Sequence, residues 1–154
     1  MPIAVMAKPF VAAEEFAFFR EELAKAAWIV LYRTATDFML KALCGVVAPI
    51  LVVEPDPSLL ELRAEVAASL GLKELVLLEQ LVGSSCDEIA WYRYNDMRQN
   101  GNLSLSELKH FYPNLCLESI EIRPQISLPQ LLQAWPPTQA DGGALFLPEE
   151  ACSD

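Results

Sequence analysis

The sequence predicts an α/β fold in which a mainly parallel, Rossmann-like sheet is flanked by helices. Three short apolar runs predict strands at 28–32, 50–53 and 75–78, and the first two have the continuous hydrophobicity of strands that are buried on both faces. Helical patterns lie before the first run and between the runs, and this alternation with short connections is typical of parallel β-α-β units. A chain of 154 residues also has the usual size of one domain. We therefore expect a single α/β domain over residues 1–154.

Helices are predicted on both sides of the first strand. Phe16, Phe19 and Leu23 recur at helical spacing and predict a helix over 13–27. A shorter helix is predicted over 36–43.

The clearest helical pattern in the chain covers 58–70. Ser58 and Glu61 have the spacing of a capping box, and Gly71 stands where a C-terminal cap is expected. One apolar stripe is formed by Leu59, Leu62, Val66 and Leu70.

The second half of the chain is less regular. Strands are predicted at 88–94 and 115–123, with a polar loop over 95–104 between them. Ser127 precedes a short predicted helix, and 144–147 is the last predicted strand.

Charge and cysteine usage exclude several classes of partner. Eleven Lys and Arg against 21 Asp and Glu give a net charge of −10, which disfavours nucleic acid and anionic membranes because both require a basic surface. The longest uncharged apolar run, 42–53, is too short to span a bilayer, and we expect no signal peptide because the first residues lack a basic region. The four cysteines are widely spaced, at Cys44, Cys86, Cys116 and Cys152. Because this spacing indicates no disulfide framework, we expect a reduced, cytoplasmic protein.

One segment carries a more specific signal. Residues 51–57 read Leu-Val-Val-Glu-Pro-Asp-Pro. This segment resembles the second strand of class I S-adenosylmethionine-dependent methyltransferases. More narrowly, it is similar to the FkbM-like family, in which a hydrophobic strand ends in an acid and Pro-Asp-Pro or Pro-Asn-Pro leads into a helix. The resemblance extends over about residues 27–146 through the order and spacing of further segments at 77–92, 100–104 and 126–132.

The resemblance implies a partial class I methyltransferase fold with S-adenosylmethionine as cofactor. Glu54 would accept hydrogen bonds from the two ribose hydroxyls, because the cofactor of such a sheet lies across the carboxyl ends of its strands. Thr34, in the turn at 31–37, would border the methionine moiety, Gln80 would border the adenine, and Asp56 belongs to the same implied site. Glu54 has a second interpretation, in which it caps a helix or pairs with a surface cation.

Two departures from the family pattern weaken the expectation of catalysis. A glycine-rich turn normally follows the first strand, but 31–37 contains no glycine, and Tyr32 and Arg33 would fill volume that the cofactor needs. We expect Asp37 to cap the following helix instead. The family's Lys and Asp have no counterpart after the strand at 144–147, and the later strands are absent, as in a truncated or a naturally short relative.

Two function classes therefore remain open. The first is a methyltransferase-like domain, degenerate or truncated, which if active would O-methylate a small molecule or sugar; the sequence assigns no catalytic residue. The second is a non-catalytic interaction or assembly domain. An incomplete sheet leaves an edge that must be covered or paired, and a homodimer or a partner subunit would cover it.

The other candidate residues have simpler explanations. His110 with Cys116 could form a nucleophile pair, but no third group orients them, so a surface histidine is expected. No ligand spacing indicates a metal site. The aromatic stretch 91–94 with Arg98 could stack a base or bind an anion. Alternatively, it is a strand that buries Trp91 and exposes its tyrosines.

Overall fold

The computed structural model describes residues 4–6, 13–84 and 87–148. The strands of this part of the chain are β1 (Ala4–Met6), β2 (Ile29–Tyr32), β3 (Ile50–Val53), β4 (Leu75–Leu78), β5 (Val82–Gly83), β6 (Glu88–Tyr94), β7 (Leu117–Pro124), β8 (Ile126–Ser127) and β9 (Ala144–Phe146). The α-helices are α1 (Ala13–Lys25), α2 (Asp37–Ala42), α3 (Pro57–Ser69), α4 (Leu105–Leu108) and α5 (Leu128–Ala134). Two 3₁₀ turns lie at Met97–Gln99 and Pro136–Gln139.

The main sheet has five strands in the order β1-β9-β2-β3-β4, and every pairing is parallel. The chain runs outward from β2 through β3 to β4 and later returns to β9 on the other side of β2. This reversal of direction beside β2 is a topological switch point, where ligands bind in open α/β sheets. The predicted α/β class and the parallel sheet are confirmed, and the strand order is consistent with a Rossmann-like fold.

Helices cover both faces of the sheet. Because successive side chains of a strand point to opposite faces, alternate residues of β2 and β3 enter two separate cores. One core packs the sheet against α1, α2 and α3, and its strand residues include Ile29, Leu31, Ile50 and Val52. The other packs it against α5, and its strand residues include Val30, Tyr32, Leu51 and Val53. All of these strand residues are buried, as the apolar runs predicted.

The cap of α2, the helix that follows β2, stands one residue before the predicted cap. The side-chain oxygen of Thr36 accepts a hydrogen bond from the backbone N–H of Met39, so Thr36 is the cap. Asp37 is the first helical residue, where a negative charge is favourable because it faces the positive end of the helix dipole. The prediction that Asp37 caps α2 is therefore wrong.

The start of α3 also differs from the predicted capping box. The cap is Asp56, whose Oδ1 accepts hydrogen bonds from the backbone N–H groups of Ser58 at 2.9 Å and Leu59 at 3.3 Å. Pro57 takes the first helical position, which suits proline because no hydrogen bond is lost there. The predicted capping box of Ser58 and Glu61 is therefore wrong.

The C-terminal end of α3 agrees with the prediction, whereas the predicted apolar stripe agrees only in part. Gly71 has a φ of +78°, the left-handed conformation of a C-terminal cap. Leu59 is buried and Val66 and Leu70 are partly buried, but Leu62 is 43% exposed.

The third apolar run forms an edge strand rather than a strand that is buried on both faces. Within the described residues β4 pairs with β3 alone, and Val76 and Leu77 are 47% and 39% exposed. The predicted strand is confirmed, and it lies at the edge of the described sheet.

The second half of the chain adds an antiparallel hairpin. Strands β6 and β7 pair from Glu88 opposite Pro124 to Tyr94 opposite Leu117. Trp91 is buried as predicted, but Tyr94 is buried too, because its side chain packs in a small core and its hydroxyl donates to a backbone carbonyl. The expectation of exposed tyrosines is therefore wrong for Tyr94. In the ranges that the structure describes, no helix combines the length and the hydrophobicity that a membrane span needs.

Gly143, immediately before β9, allows the closest backbone approach in the core. The indole of Trp28 is fully buried and its Nε1 donates to the Ala140 carbonyl at 2.8 Å. A Cβ on Gly143 would lie 1.8 Å from that ring, a separation that no side chain tolerates.

We expect Gly143→Ala to lower the free energy of unfolding by about 3 kcal/mol or more, because overpacking of a rigid core ring forces the backbone to move. Urea unfolding followed by tryptophan fluorescence measures this loss. Gly101→Ala is the matched control, since its Cβ would meet nothing closer than 3.7 Å. Equal stabilities for the two variants would contradict this packing.

Candidate functional site

The candidate site lies at the carboxyl ends of β2, β3 and β9, beside the switch point. Arg33 and Thr34 follow β2, and Glu54 and Asp56 follow β3. The Thr34 hydroxyl donates to the Phe146 carbonyl at 3.4 Å, so the ends of β2 and β9 are tied together there. Three of the four residues that the sequence placed in a cofactor site are thus on neighbouring strand ends.

Gln80, the fourth predicted residue, follows the edge strand β4. It is half-buried, and its side-chain Nε2 donates to the Leu81 carbonyl at 3.0 Å. Within the described residues, its side chain forms no hydrogen bond with Glu54, Asp56 or Thr34. The structure therefore brings three of the predicted residues to the switch point and places Gln80 farther along the sheet edge.

Arg33 occupies the turn where a glycine-rich loop was expected. Its φ of +59° is a left-handed conformation that residues other than glycine rarely adopt. Its backbone N–H donates to the Val53 carbonyl at 3.0 Å, and its Nη2 donates to the Asn100 carbonyl at 3.0 Å. The guanidinium carbon also lies 5.7 Å from the Trp91 ring centroid, within the range of a cation–π interaction. The tight turn is thus formed without glycine, and its side chain bridges the sheet to the hairpin.

A second arginine fastens the hairpin from β7. Nη1 of Arg123 donates to the Pro55 carbonyl at 2.5 Å, and its Nη2 lies 3.7 Å from Oε1 of Glu79. Its guanidinium carbon is 5.3 Å from the Trp91 ring centroid, so two arginines contact one buried indole. The hairpin therefore covers the loops that follow β3 and β4.

Asp56 is the central polar group of this contact. It is 2% exposed, and its Oδ1 caps α3 while its Oδ2 accepts from Nδ2 of Asn100 at 2.5 Å. Oδ1 of Asn100 in turn accepts from the backbone N–H of Tyr94 at 2.7 Å, and Nη1 of Arg93 lies 3.8 Å from Oδ2 of Asp56. Both carboxylate oxygens are thus occupied by groups of the protein itself.

Glu54 is buried but poorly satisfied. It is 1% exposed, and its Oε2 has no hydrogen-bond partner. Burial raises the pKa of Glu54 from 4.5 to about 7, although the positive charges of Arg33 and Arg63 act in the opposite direction and the charge of Asp56 adds to the rise. Nε of Arg63 and Nε1 of Trp91 are likewise buried without partners. Glu54 therefore neither caps a helix nor forms a surface ion pair.

Sequence reasoning missed Asn100 and Arg123. Asn100 stands in an Asn-Gly-Asn segment that indicates an exposed turn, yet it is buried against Asp56, 44 residues away along the chain. Arg123 ends a strand in which charged residues alternate with apolar ones. Its contacts with Pro55, Glu79 and Trp91 distinguish it from a solvated strand residue, and no local pattern predicts these contacts.

The other residues singled out from the sequence lie outside this cluster. His110 and Cys116 are exposed and contact Phe111 and Asn114 respectively. Arg98 forms an exposed ion pair with Asp96 at 3.0 Å. Cys86 and Cys152 are outside the described residues. Within the part of the chain that is described, no three His, Cys, Asp or Glu side chains gather as ligands of a metal would.

This arrangement does not fit S-adenosylmethionine in the way the resemblance implies. Glu54 is 1% exposed, so ribose hydroxyls would reach its carboxyl only if the groups that cover it moved, and both oxygens of Asp56 are already bonded. The Arg33 side chain lies at the turn where the backbone would have to approach the cofactor. The chain matches no protein-family model, no curated protein and no solved structure.

The raised pKa of Glu54 sets a pH dependence of stability. Below pH 4.5 the carboxyl is protonated in both the folded and the unfolded chain, and between pH 4.5 and about 7 only the unfolded chain ionises. Stability therefore falls as the pH rises through this window, by about 3 kcal/mol when complete. Glu54→Gln removes the titration, so we expect the stability difference between Glu54→Gln and wild type to grow from pH 5 to pH 8 in urea unfolding. A difference independent of pH would contradict the buried, unpaired carboxyl.

Asp56 both caps α3 and accepts a hydrogen bond from Asn100, and substitution of Asp56 tests these two roles together. We expect Asp56→Ala to lower the free energy of unfolding by about 3 kcal/mol, because α3 loses its cap and Asn100 is left buried without a partner. Ser58→Ala is the matched control and should cost less than about 0.5 kcal/mol, since its exposed side chain does not cap the helix. Comparable losses would restore the capping box predicted from the sequence.

Proposed function

We propose that this chain is a methyltransferase-like α/β domain, of FkbM type, that has lost cofactor binding and works as a non-catalytic interaction domain. The methyltransferase-like part is supported by the strand order and by an acidic residue, Glu54, at the end of the strand next to β2. The loss of binding rests on one observation, the position of the Arg33 side chain. Its guanidinium bonds to Asn100 and contacts Trp91 at the switch point.

Arg33 supports this proposal because its side chain lies at the strand ends where a ligand would bind. In open α/β sheets the crevice beyond the strand ends accepts a ligand when the first turn leaves it free. Here that turn carries a long cationic side chain, which is bonded to the hairpin at 3.0 Å. Binding of a nucleoside would require this contact to break.

Reopening the site would disturb more than Arg33. The hairpin is also held by Arg123 on the Pro55 carbonyl and by Asn100 on Asp56. Each of these groups is buried or partly buried, so separation would leave polar groups unpaired unless water reached them. The closed arrangement is therefore supported by several bonds that must be lost together.

An active O-methyltransferase acting on a small molecule or sugar is the alternative. It is favoured by the buried Oε2 of Glu54, which has no partner and stands where the family's ribose-binding acid is expected. A carboxylate oxygen left without a donor is costly, and ribose hydroxyls would supply donors. The two functions differ in one measurable property, the affinity for the cofactor.

The test is a calorimetric titration of S-adenosylmethionine and S-adenosylhomocysteine into the folded chain. We expect no binding tighter than about 1 mM for wild type. Arg33→Gly should gain measurable affinity, because glycine accepts a φ of +59° and removes the guanidinium from the turn.

Glu54→Gln separates a specific site from an unspecific one. Binding by wild type in the micromolar range that is lost in Glu54→Gln would contradict the non-catalytic proposal and support the enzyme. Circular dichroism of each variant shows whether its fold is retained, so that a lack of heat is not caused by unfolding.

A further inference from the structure

We propose that two copies of this chain associate through β4, as an antiparallel strand pair about a twofold axis at Val76. The two five-stranded sheets then form one continuous sheet. This inference deepens the proposed function and rests on the chain being an interaction domain. Its partner is a second copy of the same chain.

Within the described residues, the edge strand β4 is short but carries no charged side chain, no proline and no bulge. Natural sheets protect their edges with charged side chains, proline, bulges or a covering segment. The four residues of β4 are Leu-Val-Leu-Leu, paired in regular register with β3. Val76 and Leu77 point to opposite faces of the sheet and both remain exposed, at 47% and 39%. An uncharged, regular and exposed edge of this kind is suited to strand addition.

The backbone of β4 restricts how a second strand can add. The carbonyl of Leu78 accepts from the backbone N–H of Glu54, so the polar backbone groups of Leu78 face β3. Because this direction alternates along a strand, those of Val76 also face β3, while those of Leu75 and Leu77 face outward. A twofold axis at Val76 places each Leu75 opposite Leu77 of the second copy, as hydrogen-bonded pairs.

The side chains on one face of β4 complement themselves in this register. Leu75 and Leu77 lie on the face that carries Ile50 and Val52, since those residues are their partners in β3. Each leucine then meets a leucine of the second copy. The two Val76 side chains meet on the opposite face, so both exposed residues of the strand become covered.

Charges beyond the strand ends select this register over its neighbour. Lys73 precedes the strand and Glu79 follows it, and both are exposed. With the axis at Val76, Lys73 of one copy stands opposite Glu79 of the other, and the symmetry repeats this pair. An axis at Leu77 also satisfies the backbone, but it would place Glu79 opposite Leu75. The charge pattern therefore favours the axis at Val76.

The first test measures association by sedimentation velocity over a range of concentrations. We expect wild type to dimerise and Leu77→Pro to remain monomeric at the same concentrations. Proline removes an N–H that faces away from β3, so the pairing within one copy is preserved while the pairing between copies is blocked. Circular dichroism checks that Leu77→Pro is folded.

Charge reversal tests the register without touching the strand. Lys73→Glu and Glu79→Lys each place like charges opposite one another in both symmetric pairs, and we expect roughly tenfold weaker dimerisation. Lys73→Glu is the decisive single variant, because Glu79→Lys also removes the ion pair with Arg123 within one copy. The double variant should recover the affinity of wild type, because the pairs are restored with their signs exchanged. Glu74→Lys is the matched control, since this register places residue 74 opposite uncharged Leu78, and its affinity should change little.

Cysteine cross-linking tests the position of the axis directly. Two Val76 residues on the axis are a directly opposed pair without hydrogen bonds, with Cα atoms about 4.5 Å apart, which suits a disulfide. Val76→Cys should therefore form a covalent dimer on mild oxidation, beyond any background from the native cysteines. Leu75→Cys should not, because its two copies are offset by two residues along the strand.

A wild-type chain that stays monomeric at all concentrations would overturn this inference. It would do so even if a different protein were found to pair with β4. A dimer that Leu77→Pro and the charge reversals leave intact would overturn it as well, and would point to the exposed Ile120 and Ile122 of β7. If wild type neither dimerises nor binds the cofactor, this inference is overturned and the proposed loss of cofactor binding stands. If wild type dimerises through β4 and also binds the cofactor, this inference stands and the proposed loss of cofactor binding is overturned.

Discussion

The buried carboxylate of Asp56 is the interaction on which the rest of the site depends. One oxygen holds the first turn of α3, and the other holds Asn100 in the connection between β6 and β7. The same residue thus determines where a helix of the main sheet begins and where the hairpin attaches. Because the hairpin carries Trp91 and Arg123, their placement over the strand ends follows from this bond. The polar groups at these strand ends are thereby bonded to one another.

Glu54 and Asp56, two acidic residues separated by one proline, differ in how well their carboxyl oxygens are hydrogen-bonded. Asp56 accepts hydrogen bonds on both oxygens, whereas Oε2 of Glu54 is buried without a partner. Burial therefore raises the pKa of Glu54 into the neutral range. A residue retained only for stability would be better satisfied, since an apolar side chain of similar size avoids the desolvation cost. The burial of Glu54 without a hydrogen-bond partner for Oε2 therefore costs stability.

The sequence predicts those features that depend on neighbours along the chain, and it misses those that depend on distant partners. The strands β2 and β3 were predictable because continuous apolar runs are buried wherever they pair. Residues 75–78 look the same, yet their exposure is decided by the absence of a further strand beyond β4 in the described sheet. Asn100 illustrates the same limit, because its burial is determined by Asp56 rather than by the turn that surrounds it. The positions of Glu54 and Thr34 at strand ends were predictable, but their accessibility was not.

The closed site and the open edge are independent consequences of one topology. All strands of the main sheet are parallel, so its carboxyl ends form a single edge, and Arg33 and the hairpin cover that edge beside β2 and β3. The side of β4 runs at right angles to this edge and is untouched by the closure. An antiparallel pairing of two β4 strands turns the two carboxyl edges in opposite directions. Neither closed site then faces the other copy, so association requires neither an open site nor a bound ligand.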